Sequence, residues 1–159
     1  MLLKETLDQE ISDCGMKKHR MELKGIDGVL IDDTIVTDSS LTAYRDNCVT
    51  CHELEHKKLA HKNLLFTPPD LRDKTEAKVE RNTVMRLVPI DAVAFLYMSG
   101  ARSTDEFSDA LEVDEEFFIN AIKMYNGIYG VKCSRNGWVM TFSPFGVKTS
   151  EKRSLCTLK

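Results

Sequence analysis

The chain has 159 residues, of which 42% are hydrophobic, and its formal net charge is -3. This length and composition fit one compact domain whose apolar core needs no disulfide framework. Because charges of both signs are interspersed, the composition gives no global case for binding nucleic acid or an acidic membrane surface.

The start of the chain has no apolar stretch of the kind that an export signal needs, since Lys4, Glu5 and Asp8 interrupt it. No run approaches the roughly 18 to 20 apolar residues of a membrane span. The five cysteines are an odd number without framework spacing, so we expect free thiols. We therefore expect a cytoplasmic protein with no membrane partner.

The first half of the chain predicts a helix, a pair of strands and a second helix. Apolar residues four apart favour a helix over residues 2–14. Residues 29–31 and 35–36 predict two short strands joined by a tight turn. Ser39 or Ser40 could cap a helix that runs to about Leu59, with a half-buried stripe through Cys48 and Cys51.

The second half is predicted to be mainly helical. After Pro68-Pro69, Asp70 or Thr75 could cap a helix that ends near Pro89. Residues 90–125 predict two or three short helices with a break at Ser99-Gly100, residues 131–147 predict a hairpin, and the polar residues from 148 onward are expected to fray.

One motif in the predicted second helix carries chemistry: His52-Glu53-Leu54-Glu55-His56, an H-E-x-x-H pentad. Residues four apart share a helical face, so both imidazoles can bind one zinc ion. Glu53 is then placed to act as general base on a water bound to that ion. The pentad predicts a catalytic zinc site.

A catalytic zinc needs a third protein ligand. His61 is the nearest candidate, but Leu59 and Lys62 occupy the positions where the longer H-E-x-x-H-x-x-G-x-x-H pattern has Gly and His. A carboxylate from the following helix fits better, and Glu76 and Glu80 compete for this role. Since these glutamates are one turn apart, helical phase alone does not separate them.

Cys48 to His52 also form a C-x-x-C-H string, the attachment pattern of a c-type haem. Haem attachment of that type requires export, which nothing in the sequence indicates. A zinc knuckle would need a second cysteine pair, and Cys14 and Cys133 are isolated. We therefore interpret Cys48 and Cys51 as small core residues of the helix.

The order of strand pair, H-E-x-x-H helix and second helix resembles the ImmA/IrrE family of metallopeptidases, which are common in prophages and integrative elements. The second helix of that family reads approximately E-x-x-A, then a small residue, an apolar pair and Pro. Here Glu76, Thr83 and Leu87-Val88-Pro89 fit that register, with Val79 in place of the usual Ala. Glu55 departs from the family, which usually has Gly there, and adds charge and bulk beside the metal helix. Phe142-Ser143-Pro144 matches a Phe-x-Pro element that often follows in phage members.

The resemblance implies an α+β fold in which a small antiparallel sheet packs on the zinc-binding helices, followed by a helical segment like a helix-turn-helix and a terminal β-hairpin. It implies a metallopeptidase core over 1–89, a helical segment with hairpin over 90–147 and a polar tail over 148–159. It assigns the third zinc ligand to Glu76, with Glu80 as second choice. It also implies a regulatory substrate, such as a phage-type repressor.

A non-enzymatic alternative stays open, in which the chain is an antirepressor that binds a repressor and keeps the metal for structure. Direct nucleic-acid binding is disfavoured, because the predicted recognition stretch begins with Glu115-Glu116 and its only basic residue is Lys123. We therefore expect a protein substrate or partner.

Overall fold

The computed structural model describes residues 2–59 and 69–150, and these form an α+β fold. The helices in this part of the chain are α1 (Leu3–Asp13), α2 (Ala43–Leu59), α3 (Pro69–Leu87), α4 (Ile90–Met98), α5 (Thr104–Leu111) and α6 (Glu115–Tyr129). The strands are β1 (Lys17–Met21), β2 (Gly28–Ile31), β3 (Thr34–Asp38), β4 (Lys132–Arg135), β5 (Trp138–Phe142) and β6 (Phe145–Thr149). Within residues 2–59 and 69–150, no helix is both long and apolar enough to cross a membrane.

The first sheet is mixed, which corrects the expected antiparallel sheet. Its strand order is β1-β3-β2, with β3 antiparallel to β2 but parallel to β1. The turn at Asp32-Asp33 joins β2 to β3 as predicted, and Asp32 takes a left-handed backbone with φ of 53° there. Local alternation identifies a strand but not its distant partner, so the parallel pairing of β1 was not predictable from it.

The prediction of a terminal hairpin is also corrected, because the second sheet has three antiparallel strands in the order β4-β5-β6. Two turns divide residues 132–149: Asn136-Gly137, where both residues have positive φ, and Ser143-Pro144. β6 includes Lys148 and Thr149, which the sequence placed in the polar tail, while residues 151–159 lie outside the described part. A segment with two turns has three strands, and the prediction of a hairpin took account of only one of the two turns.

The helix boundaries follow the predicted breaks more closely than the predicted caps. α2 begins at Ala43, and the Arg45 backbone N–H donates to the Thr42 hydroxyl at 3.2 Å, so Thr42 rather than Ser39 or Ser40 caps it. Thr75 lies inside α3, since that helix begins at Pro69. The break at Ser99-Gly100 separates α4 from α5, which gives three helices between 90 and 129.

One hydrophobic core cluster contains residues of both halves of the chain. The spacing predicted for the first helix is confirmed, because Leu7 and Ile11 of α1 are buried in this cluster. Cys48 and Cys51 of α2 join it, as do Trp138 and Phe142 of β5. Among the described cysteines, Cys14, Cys48, Cys51 and Cys133, no disulfide forms.

Candidate metal centre

Helix α2 presents the two histidines of the pentad one turn apart on one face. Their Nε2 atoms are 3.0 Å apart, and the ring planes meet edge to face. The His56 side chain is 10% exposed and that of His52 26%, so the pair lies where the buried face of α2 reaches the surface. The α-helical spacing of four residues produces this proximity.

Glu76 and Glu80 of α3 occupy different places around His52. Glu76 Oε2 lies 3.3 Å from His56 Nε2 and 3.6 Å from His52 Nε2. Glu80 Oε2 lies 3.6 Å from Nδ1, the other ring nitrogen of His52. The geometry therefore groups Glu76 with both Nε2 atoms and places Glu80 behind the His52 ring.

The separations among these three donors fit a metal ion. One ligand atom each from His52, His56 and Glu76 lies within 4.8 Å of the others. A tetrahedral zinc with bonds of about 2.0 to 2.1 Å would hold pairs of ligand atoms roughly 3.3 to 3.4 Å apart. The three measured pairs are 3.0, 3.3 and 3.6 Å and bracket that value. These residues thus form a group that could hold a metal ion; His61 lies outside the described residues.

The two imidazoles have opposite tendencies to ionise. Burial lowers the pKa of His52, but the hydrogen bond with Glu80 and the charges of Glu53 and Glu76 outweigh it, so the net pKa is raised. Burial lowers the pKa of His56, and the neighbouring His52 lowers it further. The carboxylate of Glu76 acts to raise this pKa but is outweighed, so the net pKa is lowered. Because two adjacent imidazolium ions repel, the metal-free pair favours one protonated and one neutral ring. The neutral ring is the form that binds a metal.

Glu53 lies beside the histidines and is only 8% exposed. Burial raises the pKa of its carboxyl, and Glu76 adds to this, while His52 and the backbone amide of Leu30 in β2 oppose it. The carboxyl therefore lies between α2 and β2, an edge strand of the first sheet. A carboxyl whose pKa is raised toward neutrality is suited to accept and return a proton.

A cleft of about 340 Å³ opens beside His52 and Glu53. Gly28 lines it from β2, Val49 from α2, and Phe117 from the first turn of α6. α5 and α6 are joined by only three residues, of which Asp114 caps α6 through its carboxylate. The helix that the sequence suggested for recognition therefore supplies a wall of this cleft.

Glu55, the departure from the family pattern, does not point toward the metal group. Its carboxylate is 8% exposed and contacts Lys58 at 2.9 Å and Arg86 at 3.3 Å. Arg86 and Lys58 also pair with Glu10 of α1. The negative charge of Glu55 is therefore paired with two cations, Lys58 and Arg86, away from the metal group.

The haem alternative does not fit the thiols of the C-x-x-C-H string. Cys48 is 3% exposed and Cys51 is fully buried, and burial raises the pKa of each thiol to about 12. Attachment of a haem requires accessible and reactive sulfur atoms. The interpretation of these cysteines as small core residues agrees with their burial.

The chain matches no protein-family model and no curated protein. Sequence reasoning found the histidines, Glu53 and both glutamates, but it missed the cleft residues Arg45, Glu116 and Phe117. Arg45 lies 71 positions before Glu116 in the sequence, and only the packing of α6 beside α2 brings it near Glu116 and Phe117. Glu116 is exposed and lies in the acidic first turn of α6.

Proposed function

We propose that this protein is a zinc-dependent endopeptidase of the H-E-x-x-H type. The observation that carries the proposal is the group of His52, His56 and Glu76, whose ligand atoms lie within 4.8 Å, with the buried Glu53 beside it. Two histidines and a glutamate leave a fourth position open, which is the ligand set of catalytic rather than structural zinc.

Each residue of the site has a role in peptide hydrolysis. Bound zinc would polarise the peptide carbonyl and lower the pKa of a water molecule toward about 7. Glu53 holds the proton taken from the attacking water and delivers it to the leaving amine. Glu80 orients the His52 ring through Nδ1, as carboxylates commonly do for metal-binding histidines. An extended peptide can pair with the open edge of β2, next to Glu53.

The substrate we propose is a regulatory protein such as a phage-type repressor, cut in the cytoplasm to switch a prophage or integrative element. This part rests on the resemblance of the pentad and of the α3 register to the ImmA/IrrE family. The acidic start of α6 also favours a protein over nucleic acid as the partner, because Glu115 and Glu116 would repel phosphates.

Metal content per chain tests the site directly. Elemental analysis of the native protein should find about one zinc per chain, and Glu76→Ala should lose it. Glu80→Ala is the matched control one turn along α3: it should retain zinc at saturation with an affinity lower by about 10- to 100-fold. Zinc that survives Glu76→Ala but not Glu80→Ala would reverse the two roles, and a native protein that binds no added zinc would remove the enzyme proposal.

Glu53→Gln separates hydrolysis from binding. This variant should keep its zinc and lose cleavage of a co-expressed repressor by at least about 100-fold, because the general base is gone. Glu22→Gln serves as the control, since Glu22 is exposed outside the site. Two fragments of the repressor with native protein support hydrolysis, whereas an intact repressor held in a stable complex supports the antirepressor alternative.

A further inference from the structure

The cleft beside the metal group runs along α2 from His52 and Glu53 back to Arg45. Arg45 and His52 are seven positions apart, which is about 10 Å of helix at 1.5 Å per residue. One extended lysine or arginine side chain needs most of that length. The cleft is therefore long enough for one large side chain of a peptide held at the metal group.

The middle of this cleft is apolar. Val49 lines it from α2, and Phe117, which is 9% exposed, lines it from α6. Gly28 of β2 also lines the cleft and packs directly against Val49. Such walls fit the methylene stem of a long amphipathic side chain, which buries its carbon atoms and keeps its charged end in a polar place.

The charges that line the cleft are unequal. Four carboxylates line it, those of Asp27, Glu53, Glu80 and Glu116, against the one guanidinium of Arg45. Arg45 already pairs with Asp27 at 2.7 Å, and Glu80 lies against His52.

Glu116 differs from Asp27 and Glu80, because it forms no ion pair with any residue of the described ranges 2–59 and 69–150. Glu116 lies in the first turn of α6, where its backbone N–H donates to the Asp114 carboxylate at 3.1 Å, and its exposed side chain lines the cleft. The cleft thus brings together the metal group, apolar side chains and the exposed carboxylate of Glu116, which has no cationic partner among the described residues.

From this arrangement we infer that the cleft is the subsite for a lysine or arginine side chain adjacent to the bond that is cut, with Glu116 as the residue that selects it. The inference rests on the proposed function and names the substrate class of the same site. The alternatives fit less well. An acidic side chain would have to displace Asp27 from Arg45, and an aliphatic one would leave the carboxylate of Glu116 without a cationic partner.

Zinc-binding hydroxamates test this inference without requiring hydrolysis. The hydroxamates of Nα-acetyl-lysine and Nα-acetyl-norleucine differ only in the terminal ammonium group. Titration calorimetry of the zinc-loaded full chain at low salt should show about threefold to tenfold tighter binding of the lysine compound, the range of a partly exposed ion pair. Glu116→Gln should abolish this ratio, while Glu115→Gln, its exposed neighbour outside the cleft, should keep it.

The outcomes separate the subsite from the metal centre. Equal affinity of the two hydroxamates for the native protein would overturn the subsite, although the metal site would stand. A ratio that survives in Glu116→Gln would overturn the assignment to that residue. If neither compound binds a chain shown to contain zinc, the open coordination position is wrong, and the proposed function fails together with the subsite.

Discussion

Asp46 shows how one buried carboxylate can join three elements. Its side chain is 6% exposed and accepts hydrogen bonds from Lys18 Nζ of β1 and from the Thr37 hydroxyl of β3, each at 2.6 Å. Burial acts to raise the pKa of Asp46, but these two donors and the charge of Arg20 outweigh it, so the pKa is lowered. The carboxylate thus fixes the start of α2 to the first sheet.

We expect Asp46→Asn to reduce the free energy of unfolding by about 2 kcal/mol near pH 7, because Lys18 loses a charged partner. A lowered pKa in the folded state contributes stability above the unfolded value, and this contribution disappears as the pH falls through the folded pKa. The difference between the two proteins should therefore be full at neutral pH and shrink below about pH 4. Urea unfolding from pH 3 to 7 measures it, and a difference that grows toward acid would contradict the ion pair.

The residues of the metal centre could be predicted because their spacing is local. Positions 52, 53 and 56 meet within one helix, whatever the rest of the chain does. The choice between Glu76 and Glu80 depended on the angle at which α3 lies against α2, which helical phase does not contain. The register of the family supplied that choice, and the geometry places Glu76 with both Nε2 atoms.

At the scale of elements, β2 passes unusually close to α2. A Cβ atom built on Gly28 would lie 2.3 Å from Val49 Cγ1 and 3.3 Å from the Val36 carbonyl oxygen. Only a residue without a side chain allows this approach, which also brings the Leu30 amide near Glu53. The glycine therefore sets the distance between the edge strand β2 and helix α2.

Gly28→Ala should destabilise the protein by about 1 to 3 kcal/mol, the cost of inserting a methyl group into packed structure. Val49→Ala in the same chain should restore most of the loss, since it removes the atom that the new methyl group meets. Gly127→Ala is the control: Gly127 lies in α6 with open space around it, so alanine should stabilise by up to about 1 kcal/mol. Thermal unfolding of the native protein and these three variants decides, and a double variant as unstable as Gly28→Ala would contradict the steric explanation.

Element types were easier to predict than element partners. The periodicity of α1 and the break at Ser99-Gly100 are local signals, and the structure confirms them. The parallel pairing of β1 with β3 and the third strand of the second sheet depend on chain segments that meet from a distance. Such pairings are set by the packing of the whole domain rather than by local preference.

At the scale of the molecule, an ion network joins the first three helices. Arg86 of α3 pairs with Glu10 of α1 and Glu55 of α2, and Lys58 bridges the same two carboxylates. Burial acts to raise the pKa of the Glu10 carboxyl, but Lys58 and Arg86 outweigh it, so the pKa is lowered. The network holds α1 against the two helices that carry the candidate metal ligands.

We expect Arg86→Ala to destabilise the protein by about 2 to 4 kcal/mol, because the buried Glu55 loses its guanidinium partner. Arg81→Ala removes an exposed arginine of the same helix and should change stability by less than about 0.5 kcal/mol. Denaturant midpoints of both variants measure the effect. Equal losses of stability in the two variants would mean that the ion pairs of Arg86 contribute no more to the free energy of unfolding than one exposed charge does.

The cleft was the part of the site that no local sequence pattern predicted. Its α2 residues lie within the predicted motif helix, but Glu116 and Phe117 come from a helix more than sixty positions later in the chain. They reach α2 because the core cluster packs α6 against the first half of the molecule. An alignment of related sequences could have linked these positions, whereas one sequence could not.

This sharing of the cleft between two halves makes the turn at Ser99-Gly100 a natural place to divide the molecule. A first fragment would keep His52, His56 and Glu76, while a second would keep Glu116 and Phe117. Zinc affinity would then report on the first fragment, and selectivity for the lysine compound would return only with the reassembled pair. The protein would in this way serve as a split sensor whose two readouts distinguish folding of a part from complementation of the whole.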